Sequence, residues 1–391
     1  MKLLEIQNNI NKYGGDGWLF CDFHNRDKIS YSVLNIDTNK LTTRRWYYFI
    51  PANSEPIKIV HIIEESRLDE LPGQKICYSG WQELLNILQS VLANAQKIFM
   101  QYSPNNNIPT ISTVDGGTID LIRGFNKEIL SSADLVQFFS SSIDEQGFES
   151  HKKTGLIIHD ILKDIVKYVR NAINRNISIS ELDIQYEILS AFEKNHLTCD
   201  NINPMVAIND HAANPHFENS KSNNYKINEN DRLLIDLWAR ENMKGSIYYD
   251  ITWCFYIGNN PPIDYIKLFT IVRDSRKIGK KFIEDRLKQD EEVKGYEVDD
   301  ICRQHIKANG YGKYFTHRTG HSIGTFVHGD GVNIDNLETK DDRQIIPGSC
   351  FSIEPGIYFS PIGVRSEINI YISQDKELFV VGPEQEKIVC I

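Results

Sequence analysis

Four carboxylates in the C-terminal part of the chain interrupt, open or end segments with strand character, and one histidine stands among them in a short polar and glycine-containing stretch. In chain order they are Asp236, Asp250, His321, Glu354 and Glu367. A buried carboxylate without a compensating partner costs several kcal/mol. A chain that keeps such residues in core-forming segments must therefore fold so that something positive meets them.

Two of the carboxylates lie in segments that predict a β-hairpin. Asp236 lies inside the apolar run Leu233–Trp238, and the run Asp250–Ile257 is rich in β-branched and aromatic residues. Both compositions are typical of buried strands. Gly245 between the runs favours a turn. The hairpin would bring the two aspartates onto neighbouring strands.

The two glutamates also lie in segments with strand character. Glu354 ends a short apolar run just before a Pro-Gly pair, which predicts that a strand stops there. Glu367 lies in the alternating segment Gly363–Ile372, which predicts one continuous strand. Because residues two apart share a face of a strand, Glu367 should point the same way as Arg365 and Asn369.

Carboxylates brought together from several strands repel one another unless positive charge lies between them. Metal ions supply that charge, and a set of four carboxylates and one imidazole suits Mn²⁺, Co²⁺, Fe²⁺ or Zn²⁺. A single aspartate at a strand end is more often a turn or cap residue, and a lone histidine is more often structural. The metal interpretation therefore depends on all five occurring together.

The segments that carry these residues resemble the pita-bread metallopeptidases, a family that includes methionine aminopeptidases, prolidases, aminopeptidase P and creatinase. The matching stretches are Leu233–Ala239, Tyr249–Thr252, Thr319–Gly324, Ser352–Tyr358 and Gly363–Glu367. The resemblance covers residues 150–391 and, more loosely, the N-terminal part. It implies an α+β chain in which an α/β creatinase-like domain, 1–147, precedes a catalytic pita-bread domain, 148–391.

By position, the resemblance implies a dinuclear site for two divalent metal ions, with manganese first and cobalt, zinc or iron as alternatives. Asp236 would be a terminal ligand of one ion, and His321 and Glu354 would bind the other. Asp250 and Glu367 would bridge the pair. The ions would activate a hydroxide and polarise the scissile carbonyl, while Glu354 would move the proton to the leaving amine.

Three further histidines follow from the same resemblance. His216 and His328 match histidines that flank the substrate in relatives, so we expect both to hydrogen-bond the substrate carbonyl or the tetrahedral intermediate. His317 lies four residues before His321, a spacing that a helical metal pair would have. Gly320 favours a loop instead, which places His317 behind the ligands or in contact with the substrate.

Three other side chains near the predicted ligands are candidates for the site. Arg365 could orient Glu367 or bind a substrate carboxylate, and an ordinary salt bridge is an equal alternative. Trp238 shares a strand face with Asp236 and is predicted to form a pocket wall. Thr252, two residues after the second aspartate, shares that aspartate's face.

The chain departs from the family pattern at two places. Asp236 and Asp250 are fourteen residues apart, a longer connection than we expect, but a hairpin tip accepts insertions easily. Trp253 stands where prolidase-like relatives commonly have arginine. Because it faces away from Asp250 on a strand, Trp253 is predicted to lie in the core or an interface.

Outer helices are predicted from apolar residues three and four apart. One long helix begins near Glu149, and a second spans Ser178–Lys194, with Ser180 and the acid three residues later forming a possible capping box. A second pair spans 264–287 and 297–308. Two helix pairs, each leading into ligand-bearing strands, are typical of the pseudo-symmetric pita-bread fold.

Composition limits the class of protein. The 391 residues allow two domains, and 41% hydrophobic with 25% charged residues is ordinary for a globular chain. A net charge of −10 argues against nucleic-acid binding. The first ten residues predict an amphipathic helix instead of a signal peptide, and no apolar run is long enough for a membrane span. Seven scattered cysteines fit a reducing cytoplasm, so we expect a cytoplasmic location.

The N-terminal domain separates the substrate classes. Methionine aminopeptidases work without one, so the resemblance implies an Xaa-Pro aminopeptidase or dipeptidase that cuts between an N-terminal residue and a proline in second position. It also implies a homodimer. The sequence leaves dipeptide against longer-peptide preference open. The alternatives are a non-peptidase hydrolase or lyase on the same fold, and a catalytically silent binding protein.

Overall fold

The computed structural model describes residues 3–391, so the first two residues of the predicted N-terminal helix, Met1 and Lys2, lie outside the described residues. The chain divides into two compact units, Met1–Ser140 and Ser141–Ile391. Compactness alone does not identify either unit, so the predicted domain assignments stay predictions. Among the described residues, no helix is both long and apolar enough to cross a membrane.

The first unit is built on a six-stranded mixed sheet in the order β4-β3-β2-β1-β5-β6. Its strands are β1 Gly17–Asp22, β2 Trp46–Pro51, β3 Ile57–His61, β4 Gln74–Tyr78, β5 Lys97–Met100 and β6 Glu128–Ser131. Its helices are α1 Leu3–Lys12, α2 Lys28–Leu34, α3 Trp81–Val91, α4 Gly116–Gly124 and α5 Ala133–Val136. Trp18 of β1 packs with α1 and α2, whereas Leu19 packs with α3 and α4. Helices therefore cover both faces.

The second unit contains two helix pairs and several small sheets. Its helices are α6 Glu145–Asn174, α7 Glu181–Lys194, α8 Ile263–Lys288 and α9 Gly295–Ala308. Its strands are β7 Leu197–Thr198, β8 Met205–Ile208, β9 Arg232–Glu241, β10 Tyr249–Tyr256, β11 Cys350–Ile353, β12 Gly356–Phe359, β13 Ile362–Arg365, β14 Ile368–Ile372, β15 Leu378–Val380 and β16 Val389–Cys390. The four predicted helices are confirmed with small shifts at their ends, and Ser180 forms the predicted capping box.

The predicted hairpin between the two aspartates is confirmed. Strands β9 and β10 pair antiparallel, with Asp236 opposite Thr252 and Trp238 opposite Asp250. Gly245 in the connection has φ +86°, a left-handed conformation that glycine adopts without steric cost. The seven-residue connection, 242–248, therefore lengthens only the tip, and the register around the aspartates is kept.

Helix packing on β9 decides which way its aspartate points. Ile235 and Leu237 are fully buried in a core cluster that also contains Ile158 and Val169 of α6, the helix that packs on this strand. Burying one such side chain stabilises the fold by about 1.5–3 kcal/mol. Because side chains alternate along a strand, Asp236 between them is directed to the opposite face. The apolar contacts thus hold the carboxylate on the side away from the helices.

One sequence prediction is wrong: Gly363–Ile372 is not a single strand. Strand β13 ends at Arg365 and pairs with β12, whereas β14 begins at Ile368 and pairs with β11. The chain changes sheets at Ser366 and Glu367, so strand alternation does not apply across this corner. Glu367 is nonetheless only 2% exposed. Glu367 is therefore buried at the corner between β13 and β14, and not on the face of a strand.

Candidate metal centre

All five predicted ligands come together in the second unit. The ligand atoms of Asp250, His321 and Glu367 lie within 4.8 Å of one another. His321 Nε2 lies 3.5 Å from Asp250 Oδ2 and 3.3 Å from Glu354 Oε1. Thr252 Oγ1 lies 2.9 Å from both Asp236 Oδ1 and Glu367 Oε2, which links Asp236, the remaining carboxylate, to the others.

The histidine is fixed by the strand that leads to the glutamate. The His321 N–H donates to Ser352 Oγ at 3.0 Å, and the Ser352 N–H donates to the His321 carbonyl at 2.9 Å. The Ser352 hydroxyl in turn donates to Glu354 Oε1 at 3.2 Å. A Cβ on Gly320 would lie 1.9 Å from the Ser352 carbonyl oxygen, so only glycine permits this approach. The segment is a loop, as predicted, not a helix.

Asn369 holds the second aspartate from the neighbouring strand. Its side-chain Nδ2 donates to the Asp250 carbonyl at 2.6 Å, and the Asp250 N–H donates to Asn369 Oδ1 at 2.8 Å. Both residues are buried. This pair of hydrogen bonds ties β10 to β14 and fixes the backbone from which the carboxylate extends. Sequence reasoning did not predict this pair of hydrogen bonds, because the two residues are 119 positions apart.

The cluster carries more negative charge than its own cations neutralise. Burial raises the pKa of Asp236 to about 7, and repulsion from Asp250 adds to the effect. Burial, followed by repulsion from Asp250, also raises the pKa of Glu367 well above its usual range. Burial raises the pKa of Glu354 too, but the charges of His321 and Arg365 outweigh it and leave that pKa lowered. A further cation would relieve the repulsion.

Two carboxylate oxygens are available to such a cation. Asp250 Oδ1 and Glu367 Oε1 are buried and have no hydrogen-bond partner among residues 3–391. An unpaired buried carboxylate oxygen is costly, so native structures give it a partner or an ion. The same two residues and His321 each offer a ligand atom within 4.8 Å of the others, which provides mixed oxygen and nitrogen donors. These residues fit a divalent metal ion.

Arg365 is engaged with the ligand set. It forms an ion pair with Asp236, its Nε donates to Thr252 Oγ1 at 2.8 Å, and its Nη1 donates to Tyr358 Oη at 3.3 Å. The nearest Arg365–Glu354 distance is 3.7 Å. The structure contains a salt bridge, which Arg365 forms with Asp236, and the roles of Arg365 toward Glu367 or a substrate carboxylate stay predictions. Thr252 is fully buried, and its hydroxyl donates a hydrogen bond to Asp236 Oδ1 at 2.9 Å.

A cavity of about 590 Å³ opens onto the cluster. Among the predicted residues it is lined by Asp236, Asp250, His321, Glu354, His216, His328, His317, Trp238 and Arg365. Thr252 and Glu367 are not among its lining residues. Trp253 is packed against the helix-facing core, which confirms the prediction that it lies away from the site.

The three histidines in the cavity wall differ in their surroundings. The ring of His328 stands perpendicular to that of His321 at 4.4 Å, and the charge of His321 together with burial lowers the pKa of His328 to about 3. Burial lowers the pKa of His317 to about 4. His317 Nε2 contacts Tyr358 Oη at 2.8 Å, a tyrosine to which sequence reasoning assigned no role. His216 is exposed at the cavity.

Several known proteins are similar to this chain in sequence or in fold. A putative Xaa-Pro aminopeptidase of Mycoplasma pneumoniae is 29% identical over 183 residues, which cover 45% of this chain and 46% of that protein. The chain thus spans about half the length of the curated relatives it matches. The prolidase of Thermococcus sibiricus has a TM-score of 0.63 at 20% identity, with 100% of this chain and 98% of that chain covered. The dipeptidase PepE of Mycobacterium ulcerans has a TM-score of 0.68 at 17% identity, with 100% and 96% covered.

The structural likeness confirms the predicted α+β pita-bread fold. The sequence profile of metallopeptidase family M24 matches residues 149–374, which is more than half of the chain and includes all five predicted ligands. The chain therefore belongs to metallopeptidase family M24.

Proposed function

We propose that the chain is a metal-dependent peptidase that hydrolyses the bond between an N-terminal residue and a proline in second position. The observation that carries the proposal is the pair of unpartnered, buried oxygens of Asp250 and Glu367 beside His321. Family membership supports peptide hydrolysis. The name of the Mycoplasma pneumoniae relative supports the Xaa-Pro class.

The proposed site holds two divalent ions. Asp236, Asp250, His321, Glu354 and Glu367 would bind them, and the oxygen-rich set favours Mn²⁺, with Co²⁺, Zn²⁺ or Fe²⁺ as alternatives. When bound, the ions would act as Lewis acids on the scissile carbonyl and lower the pKa of a water molecule. Arg365 and Thr252 hold the Asp236 carboxylate in place through the contacts described above.

Glu354 is the proposed proton carrier. Its lowered pKa keeps it ionised near neutral pH, so it can accept a proton from the attacking water. It lines the cavity, where a bound peptide would place its leaving amine. Donation of the same proton to that amine would complete the cleavage and restore the carboxylate.

His328 and His216 are the proposed contacts to the substrate carbonyl. The lowered pKa of His328 keeps its ring neutral at working pH, so it offers an N–H donor without adding charge beside His321. His216 is exposed to the cavity and carries no ring hydrogen bond to another residue in the described range 3–391. His317 instead contacts Tyr358, which makes it a positioning residue in this proposal.

The cavity wall next to the ligands suits a proline ring. Trp238 presents an aromatic surface, and Pro204, Met205 and Phe217 line the same cavity. Apolar walls with a few polar groups are typical of sites that orient a small substrate. A secondary-amine ring is compact and apolar, so this wall supports proline in second position.

The family resemblance also underlies two further parts of the proposal, a homodimer and action in the cytoplasm. Sedimentation velocity on the full chain measures the first, with a single species of twice the chain mass as the expected result. A monomer at all concentrations would contradict it. Microscopy of a tagged full-length chain measures the second, and fluorescence outside the cytoplasm would contradict it.

The proposed function is tested by stripping the protein of metal, reloading it with Mn²⁺, Co²⁺ or Zn²⁺, and assaying Ala-Pro and Ala-Pro-Ala while counting metal per chain. Cleavage with two ions per chain is expected. Two ions without cleavage of either peptide would overturn the substrate class, and absence of metal would overturn the site. Glu187→Gln, an exposed carboxylate on α7, is the matched control and should behave as the unmodified protein.

A further inference from the structure

One loop supplies five of the residues that line the cavity, although it has almost no secondary structure. Residues 209–224, called the wall loop below, follow β8 and contain no helix and no strand longer than a single bridge. The lining residues that it contributes are Pro215, His216, Phe217, Glu218 and Asn219. Loops of this length without regular structure are uncommon and are usually functional. The contacts that hold the wall loop therefore bear on the shape of the cavity.

A single buried carboxylate joins the two ends of the wall loop. Glu181, the first residue of α7, is fully buried. Its Oε1 accepts the Ile208 N–H at 2.8 Å, and its Oε2 accepts the Tyr225 N–H at 2.8 Å. Ile208 and Tyr225 are the residues directly before and after the loop. Because hydrogen bonds to a carboxylate are charge-assisted and strong, this side chain closes the loop at its base.

His211 connects this carboxylate with the cavity wall. Its Nδ1 lies 2.9 Å from both oxygens of Glu181 and donates to them, since a carboxylate only accepts. The imidazole stacks on Tyr225 at 3.8 Å with 9° between the ring planes, and on Phe217 at 4.0 Å with 20°. Two rings at these distances cannot share one face, so the imidazole lies between them. The hydrogen bond fixes the plane of the imidazole, and the imidazole in turn aligns the Phe217 ring.

Phe217 carries this arrangement to the substrate. It lines the cavity, and it belongs to the same buried apolar cluster as Met205, another lining residue. Glu181 and His211 are themselves not among the lining residues. They therefore act on a bound substrate through the wall loop and not by direct contact.

We propose that Glu181 and His211 are positioning residues that hold the Phe217 ring as the surface on which the proline ring of the substrate packs, and so contribute to selectivity for proline. This inference rests on the proposed Xaa-Pro hydrolysis and names residues that set its specificity. The proline ring is apolar and offers no hydrogen-bond donor, so its recognition depends on the shape of an apolar wall. A wall that is already ordered before binding needs less ordering when the substrate arrives.

The test compares Ala-Pro with Ala-sarcosine in the metal-loaded full chain. Sarcosine keeps the tertiary amide but has no ring, so the ratio of the two kcat/KM values reports packing on the ring. The unmodified enzyme should favour Ala-Pro by about 10-fold or more, because the additional ring carbons are buried against the wall. Phe217→Ala should reduce this ratio to below about 3-fold, mainly through KM for Ala-Pro.

Two variants separate the stacking from the hydrogen bonds. His211→Asn removes the ring but places an amide N–H near the position of Nδ1, so the contact with Glu181 can still form. Glu181→Gln keeps the volume but has a single acceptor oxygen, so it cannot hold both backbone N–H groups. Each variant should reduce the ratio to below about 3-fold while kcat for Ala-sarcosine stays within about 3-fold. Glu187→Gln, the same change at an exposed position of α7, is the matched control and should keep the ratio.

A double variant shows whether His211 acts through Phe217. If it does, His211→Asn combined with Phe217→Ala should give the same ratio as Phe217→Ala alone. Additive losses in the double variant would overturn the proposal. Equal losses on both substrates in His211→Asn would also overturn it, because they would show a general structural effect. Failure of the proposed function has a different signature, namely no cleavage of either substrate by the unmodified enzyme.

Binding provides a readout that does not depend on turnover. Isothermal titration calorimetry with free proline and with free sarcosine should show about 10-fold tighter binding of proline to the unmodified protein. His211→Asn should lose this preference. Equal affinities in the unmodified protein, or a preference that survives in His211→Asn, would overturn the proposal. Circular dichroism and metal content establish that each variant is folded and loaded, and Glu181→Gln replaces His211→Asn if that variant does not fold.

Discussion

Replacement of Asn369 by alanine is expected to weaken both the fold and the metal site, because this side chain holds the backbone of Asp250. The change removes two buried hydrogen bonds, of 2.6 and 2.8 Å, and leaves the Asp250 N–H and carbonyl unpaired. An unsatisfied buried polar group costs about 1–3 kcal/mol. With partial relaxation, Asn369→Ala should lower the free energy of unfolding by about 2–4 kcal/mol.

The metal should respond through the position of the Asp250 carboxylate. Loss of a residue that orients a ligand typically costs about 10- to 100-fold in metal affinity. Urea unfolding of the metal-free protein measures the first effect, and competition with a metallochromic chelator measures the second. Asn228→Ala is the control, since Asn228 is exposed and its side chain donates to the Lys226 carbonyl at 2.9 Å, two residues away on the surface.

An Asn369→Ala variant with the expected loss of stability but metal affinity within about 3-fold of the unmodified protein would refute the reasoning on the site. It would mean that the pairing of β10 with β9 is enough to position the Asp250 carboxylate. Asn369→Asp sharpens the test. The aspartate can still accept from the Asp250 N–H but repels its carbonyl, so its metal affinity should also fall.

Glu354→Gln should abolish turnover while the chain stays folded, as measured by peptide cleavage and circular dichroism; cleavage at the unmodified rate would remove Glu354 from proton transfer. His328→Ala should lower kcat with both metal ions retained, and metal loss measured by elemental analysis would contradict its proposed role. His151 donates Nδ1–H to the Tyr248 carbonyl at 2.5 Å, and burial lowers its pKa to about 4. The unfolded chain, with a pKa of about 6.5, binds the proton first, so this stability is complete above pH 6.5 and is lost as the pH falls toward 4. Between pH 7 and 5 the loss is about 2 kcal/mol, and His151→Gln should remove that slope from the urea-unfolding free energy; an unchanged slope would contradict the assignment.

Features that depend on neighbouring residues could be predicted from the sequence. The hairpin around Asp236 and Asp250 follows from apolar runs and a glycine between them, and the capping box at Ser180 follows from a three-residue spacing. The outer helices follow from apolar periodicity. In each case the interaction that forms the element lies within a few residues of the signal.

Features that depend on distant partners could not be predicted in this way. The predicted strand breaks at Ser366 and Glu367 because its two halves pair with different strands. The first half pairs with β12, and the second half pairs with β11. Alternation specifies a strand but not its partner. The ion pair of Arg365 with Asp236 joins residues 129 positions apart and is visible only in the assembled site.

Asp250 combines both classes of feature. The local sequence pattern predicts Asp250 as a ligand, but its backbone is held by hydrogen bonds to Asn369, which lies in another sheet. Ligand identity fixes which ions can bind, whereas the rigidity of the supporting hydrogen bonds sets how tightly they bind. Two chains with the same five ligands can therefore differ in metal affinity by an order of magnitude or more. The ligand pattern predicts the kind of chemistry, and the long-range contacts determine the strength of the site.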